Sequence, residues 1–134
     1  MSAAESDVPQ AGEVRLEVVT VPVSDVDRAK AFYVDQVGFN ADHDHVVSDT
    51  LRFVQLTPPG SGCSITIGTG VSEMEPGSQK GLQLVVDDIE VARDELRARG
   101  VQTSDVNDMP WGRFIFFSDP DGNSWAIQQL PPRP

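Results

Sequence analysis

The residues able to do chemistry in this chain fall in three short stretches. His43 and His45 are its only histidines, spaced i, i+2 with Asp42 and Asp44 beside and between them. On a strand both imidazoles leave from one face, so a two-histidine contact to a metal ion is geometrically available. Histidine also changes charge near neutral pH, which makes either ring a candidate general base. The sequence nominates neither a third ligand nor a partner to orient a ring, and a polar, solvent-facing edge strand or turn accounts for the same residues. Trp111-Gly112-Arg113 opens a strand carrying Phe114, Phe116 and Phe117. Trp111 can stack on a planar ligand and Arg113 can grip an anionic group. Alternatively, Trp111 fills the mouth of the sheet and Arg113 braces the turn that follows through Asp119 or Asp121. Cys63 is the single cysteine, so no intrachain disulfide and no cysteine zinc cluster can form. It reads as an inert small residue at a strand start rather than a reactive thiol.

The elements that must position these residues come in two copies. Shifting the first half by about sixty residues sets Asp25-Val26-Asp27 on Asp88-Ile89-Glu90, and Arg52-Phe53-Val54 on Arg113-Phe114-Ile115. In the first copy, the valine-rich run from Val14 to Val23 predicts a strand buried on both sides. Ser24 or Asp25 then caps a helix whose buried stripe is Val26, Ala29, Phe32, Tyr33 and Val37, and Gly38 stops it. Strands follow over 39–47, 51–56 and 64–67, the last two joined by the turn at 58–62. In the second copy, a strand over 82–86 leads to a helix capped by Asp87, with the stripe Ile89, Ala92 and Leu96 and a stop at Gly100. Strands over 101–106, 113–117 and 124–129 complete it, the last pair joined by the tight turn Asp119-Pro120-Asp121-Gly122-Asn123. The plan is βαβββ twice, an α+β architecture of two tandem modules with helices outside and the sheets lining a shared concave cleft. Module one spans 13–68, a linker 69–79 and module two 80–130, together one domain over 13–130. Residues 1–12 are expected to be a disordered leader and 131–134 a frayed tail. Glu73, Met74 and Glu75 place a lid or a partner contact in the linker.

The chain has 134 residues, the size of one domain or of two small modules sharing a core. Ten basic residues against twenty-one acidic ones give a formal charge of −11. That balance argues against a nucleic-acid partner, which needs clustered Lys and Arg. It is compatible with a cationic small molecule, although solubility alone explains it. No apolar run approaches the roughly 20 residues that span a bilayer. The N-terminus lacks the basic and apolar stretches of a secretory signal, so a cytoplasmic location and no membrane partner are expected.

With VSDVDRAKAFY after the first strand, LVVDDIEVARDEL in the fifth strand and second helix, and SDPDGN before the last strand, the chain closely resembles the vicinal oxygen chelate superfamily. That group includes glyoxalase I, the bleomycin- and fosfomycin-resistance proteins and the extradiol dioxygenases. The resemblance covers 14–130. It implies a divalent metal held by four side chains on four strands, usually His and Glu. Counted from the motifs, those positions are Val18, Thr66, Gly81 and Ala126. None is a metal ligand through its side chain. Glu17 and Gln83 lie one and two positions away, and one carboxylate is not a site. The resemblance therefore implies a protein without the family's metal centre, and with it without the electrophile that polarises a bidentate oxygen substrate.

If Val18 faces the cleft, strand alternation brings Leu16 and Thr20 with it. Thr66 brings Ser64, Gly81 brings Gln83 and Val85, and Ala126 brings Ser124 and Gln128. Phe53 and Gln55 in module one, and Phe114 and Phe116 with Trp111 and Arg113 in module two, extend the candidate lining. Small or apolar residues at the vacated positions describe an apolar pocket with a few polar anchors, or else a closed, packed interface. The leading expectation is a metal-free binder of a small organic molecule, cationic or aromatic, similar to the drug-sequestering bleomycin-resistance proteins. The resemblance also implies a homodimer, with the cleft between modules or across chains, and no cofactor. The alternatives are a glyoxalase-, lyase- or dioxygenase-like enzyme with altered ligands or metal-independent chemistry, in which a divalent metal or the His43/His45 pair returns, and a structural or interaction module with no ligand.

Overall fold

The computed structural model describes residues 9–132. Positions 1–8 of the expected leader and 133–134 of the expected tail lie outside the described residues. Two four-stranded sheets and two helices follow in the order β1 (Val18–Thr20), α1 (Val26–Ala31), β2 (Asn40–Ser48), β3 (Leu51–Thr57), β4 (Ser64–Thr69), β5 (Leu82–Val86), α2 (Ile89–Ala98), β6 (Asn107–Met109), β7 (Gly112–Ser118) and β8 (Ser124–Gln129). The first sheet has the order β1-β4-β3-β2 and the second β5-β8-β7-β6. In each, the first strand lies parallel to the last and the remaining pairs are antiparallel. This is the tandem βαβββ fold.

Strand alternation sorts each sheet into two faces. On the inner faces, Val54, Leu56, Ile65 and Ile67 of the first sheet and Ile115, Phe117, Trp125 and Ile127 of the second join Val21 and the α2 residues Ile89 and Leu96 in one core. Each such side chain stabilises the fold by roughly 1.5–3 kcal/mol when fully buried. Asp25 caps α1 by accepting from the Arg28 N–H. The helix then widens into a π-helical segment, Phe32–Val37, in which the Gly38 N–H reaches the Tyr33 carbonyl five residues back. That wider turn buries the adjacent rings of Phe32 and Tyr33 together. Gly38 closes the segment at φ 97°, a left-handed conformation that glycine adopts without a Cβ penalty.

Three expected elements differ. Only Val18–Thr20 of the run 14–23 pairs as a strand. Val14 and Leu16 remain 96% and 69% exposed because β4, their parallel neighbour, begins only at Ser64. The cap of α2 is Asp88, not Asp87; its carboxylate accepts from the Glu90 and Val91 N–H groups. No strand forms over 101–106, where the Arg97 guanidinium takes the carbonyls of Thr103 and Ser104 and draws the segment toward α2; β6 begins only at Asn107.

A buried polar knot joins the modules. The Tyr33 hydroxyl donates to Asp119 Oδ2 at 2.7 Å and accepts from the Trp125 indole N–H at 2.9 Å. Burial, and then the Asp119 charge, push the Tyr33 phenol above its ordinary range. For a raised value, the contribution to stability is fully present below about pH 10 and is lost as pH rises beyond it. Tyr33 is the only tyrosine, so tyrosinate absorbance during an alkaline titration reads this hydroxyl alone. It should stay silent through the ordinary phenol range and rise together with loss of the circular dichroism signal. A smooth titration near pH 10 in folded protein would contradict the knot.

Candidate functional site

The outer faces of the two sheets carry the candidate site. On the first sheet, register pairing sets Thr20, Thr66, Gln55 and His43 in one row across all four strands. A neighbouring row holds Gly68, Phe53 and His45. A bulge between Ala41 and His43 turns the Asp42 carboxylate to the Thr57 hydroxyl on this same face, and Thr57 Oγ1 lies 2.6 Å from Ser64 Oγ. The two imidazoles leave the same face with ring centroids 5.8 Å apart, and His45 sits 5.0 Å from the Phe53 ring.

On the second sheet one row reads Gln83, Ala126 and Phe116, and the next Val85, Gln128, Phe114 and Asn107. Phe114 and Phe116 lie nearly parallel, 5° apart in plane and 6.2 Å between centroids. Gln83 Nε2 donates to Gln128 Oε1 at 2.5 Å, and Gln128 Nε2 donates to the Trp111 carbonyl at 2.9 Å. That chain of amides ties the tip of the β6–β7 hairpin to the sheet while leaving the Trp111 side chain exposed. Gly81, Ala126, Ser124 and Phe116 line an open hollow of about 690 Å³ whose lining takes nothing from the outer face of the first sheet. Val18, Val85 and Phe116 are 41%, 61% and 44% exposed in the single chain, whereas Ser64 and Phe114 on the same faces are buried.

Arg113 is a correction. It lies on the inner side of β7, where its Nε meets Asp108 at 2.7 Å and its Nη2 meets Glu90 at 2.9 Å. It neither lines the outer face nor braces the Asp119–Asn123 turn. Arg28 and Ser24 hold that turn instead, through Asp121. Arg52 occupies the equivalent place in the first module, gripping Asp44 with two nitrogens and Asp27 with a third. Sequence reasoning aligned these arginines and the helix carboxylates but missed that each Arg straps a helix start to an edge strand. The recurrence of both at nearly the same offset was the signal. Asp44 therefore faces inward, away from His43 and His45. Cys63 is half-buried, its Sγ 3.6 Å from the Ser64 carbonyl.

The row through Thr66 crosses β1 at Thr20 rather than Val18, and the row through Ala126 crosses β5 at Gln83 rather than Gly81. Neither Val18, Thr66, Gly81 and Ala126 nor the alternative set Thr20, Thr66, Gln83 and Ala126 carries a carboxylate, imidazole or thiolate, so these side chains do not fit the ligands a divalent ion of this family takes. Among the described residues no three His, Cys, Asp or Glu side chains are grouped to hold a metal. No helix among them is long and apolar enough to cross a membrane.

A fold of two βαβββ modules with these motifs defines a class, and the sequence profile of the Glyoxalase/Bleomycin resistance protein/Dioxygenase superfamily matches residues 15–127. The chain belongs to that superfamily. It is similar to TnmS3, an antibiotic binding protein from Streptomyces sp. CB03234, at 36% identity and a TM-score of 0.82, covering 91% of this chain and 100% of that one. A glyoxalase/bleomycin resistance protein from the same organism is 38% identical with a TM-score of 0.76, over 86% of this chain and 100% of its own. The uncharacterized protein YetH of Bacillus subtilis (strain 168) is 28% identical over 119 residues, 86% of this chain and 98% of that protein.

Hydrogen bonds from Arg52 and then Lys30 hold the Asp44 carboxyl well below the usual range. For a depressed value, the contribution to stability is present above about pH 4 and is lost as pH falls through the native value. Asp44→Asn should flatten the fall in melting temperature below about pH 4, an effect a thermal-melt series in acid will read.

Proposed function

We propose that this protein binds a small aromatic organic molecule against the outer faces of its sheets, in the manner of a drug-sequestering protein, without a metal. The observation that carries the reading is the second sheet's outer face: two parallel phenylalanine rings and an alanine, bordered by a fixed chain of glutamine amides and by exposed Trp111. Phe116, 44% exposed, offers its ring to a planar ligand, and Phe114, buried at 7%, lies parallel beside it. The amides, already bonded to each other, keep a fixed pattern of donors and acceptors at its rim. The likeness to an antibiotic binding protein over nearly the whole chain supports the same reading.

Each face supplies one wall only, so the cleft is closed by a second copy of the chain, in a homodimer. Val18 and Val85, exposed at the first strands of the two sheets, are the apolar surface such closure covers. In the cell we place the protein in the cytoplasm.

A thermal-shift screen of aromatic antibiotics and metabolites tests the binding. A ligand present at a hundred times its Kd stabilises by about 2.7 kcal/mol, a clear rise in Tm, and Phe116→Ala should weaken that ligand about tenfold, equivalent to roughly 1.4 kcal/mol. Light scattering should find a dimer. No stabilisation by any compound, or tight binding by a monomer, would contradict the reading.

A further inference from the structure

On the strands, the outer faces are almost free of charge although the chain carries −11. Their ionisable side chains are Asp42, His43 and His45, all on β2. Every other outer-face position on those strands is an amide, a hydroxyl, an aromatic ring, the Met109 thioether or a small or aliphatic residue. The carboxylates around the two histidines are already engaged. Asp42, beside His43, accepts from the Thr57 hydroxyl but keeps its charge, which offsets one of two imidazolium charges. Asp44 points to the inner side and is neutralised there by Arg52 and Lys30, with Asp27 beyond them on Arg52. From β3, the strand packed beside them, only Phe53, Gln55 and Thr57 face the pair, and none is charged. Neither imidazole takes part in a hydrogen bond or ion pair among the described residues, both are exposed, and their near-parallel rings aim the same way. His43 also ends the row of neutral hydrogen-bonding groups formed by Gln55, Thr66 and Thr20.

We propose that His43 and His45 are the anion-recognising end of this surface, and that its ligands are aromatic molecules carrying an acidic oxygen group such as a carboxylate, a sulfonate or an ionised phenol. The inference rests on the outer faces being a binding surface. An imidazolium N–H bonded to an oxyanion is a charge-assisted contact, stronger than a neutral one. The distant carboxylates that would repel an anion are screened beyond about 8 Å at physiological ionic strength. The overall acidity thus does not select a cation; the local pair selects an anion.

The test uses two fluorescent probes that differ by one charged group: anilinonaphthalene sulfonate and its uncharged parent, N-phenylnaphthylamine. With the full chain near pH 6, the sulfonate should bind about tenfold more tightly than the parent. That advantage should shrink near pH 8. It should vanish in the His43→Gln/His45→Gln double variant, read as the ratio of the two probes' affinities. Equal or weaker binding of the sulfonate by the unaltered protein, or an advantage that survives the double substitution, overturns the proposal. If the uncharged probe binds and the sulfonate gains nothing, the anion site fails while the binding surface stands. If neither probe binds, the surface itself fails. The comparison of probes at two pH values needs no variant, so it stays decisive should the double variant not fold.

Discussion

The Asp119 carboxylate is the point on which the two modules meet. Oδ1 accepts the N–H groups of Asp121 and Asn123, and Oδ2 accepts the Tyr33 hydroxyl and the Asn123 side-chain amide. A buried carboxylate without such partners would be strongly unfavourable, and four donors offset its lost hydration. The same bonds shape the Asp119–Asn123 turn and draw in the first module, because Asn123 also donates to the Pro22 carbonyl. The linker docks on this turn. Gln79 bonds Asn123, and Gly77 at φ 83° runs so close to the Asp121 carbonyl that a Cβ there would stand 2.1 Å from it. With the turn fixed, β8 starts in place, and Trp125 stacks on Phe117 and meets Tyr33 and Phe39.

Around that knot the duplication has kept its mechanical parts and diverged in its chemical ones. Arg52 and Arg113 repeat the same strap, from a strand to a helix start and an edge strand. Exposed pairs of this kind add little stability individually, yet each fixes the edge strand relative to its helix. The outer faces, by contrast, no longer match. One presents hydroxyls, an amide and two imidazoles, the other parallel phenylalanines and glutamines. An asymmetric ligand with a polar end and a flat apolar end suits such a pair of walls.

Much of the fold was legible in the sequence because each module is written twice, and alternation on long, buried strands leaves little freedom. Leu82–Val86 and Ser124–Gln129 are strands with the expected bounds. Features depending on a single contact were not legible. The α2 cap falls on Asp88 because its side chain, not that of Asp87, meets the free N–H groups. Arg113 reads as an anion grip until Glu90 and Asp108 are seen beside it. The π-helical segment at Phe32–Val37 has the same apolar spacing as an α-helix. The bulge that brings Asp42 onto the outer face beside His43 has no sequence mark, so the face of those residues could not be read from alternation alone.

The central claim is that this member of the superfamily keeps the paired modules for a binding surface whose donors do not suit a metal. One measurement addresses it directly: elemental analysis of protein purified without chelators, with ligand-induced stabilisation recorded on the same preparation before and after chelator treatment. The account predicts no stoichiometric iron, manganese, nickel or zinc, and stabilisation that the chelator leaves intact. One equivalent of metal per cleft, with stabilisation lost on its removal, would contradict it.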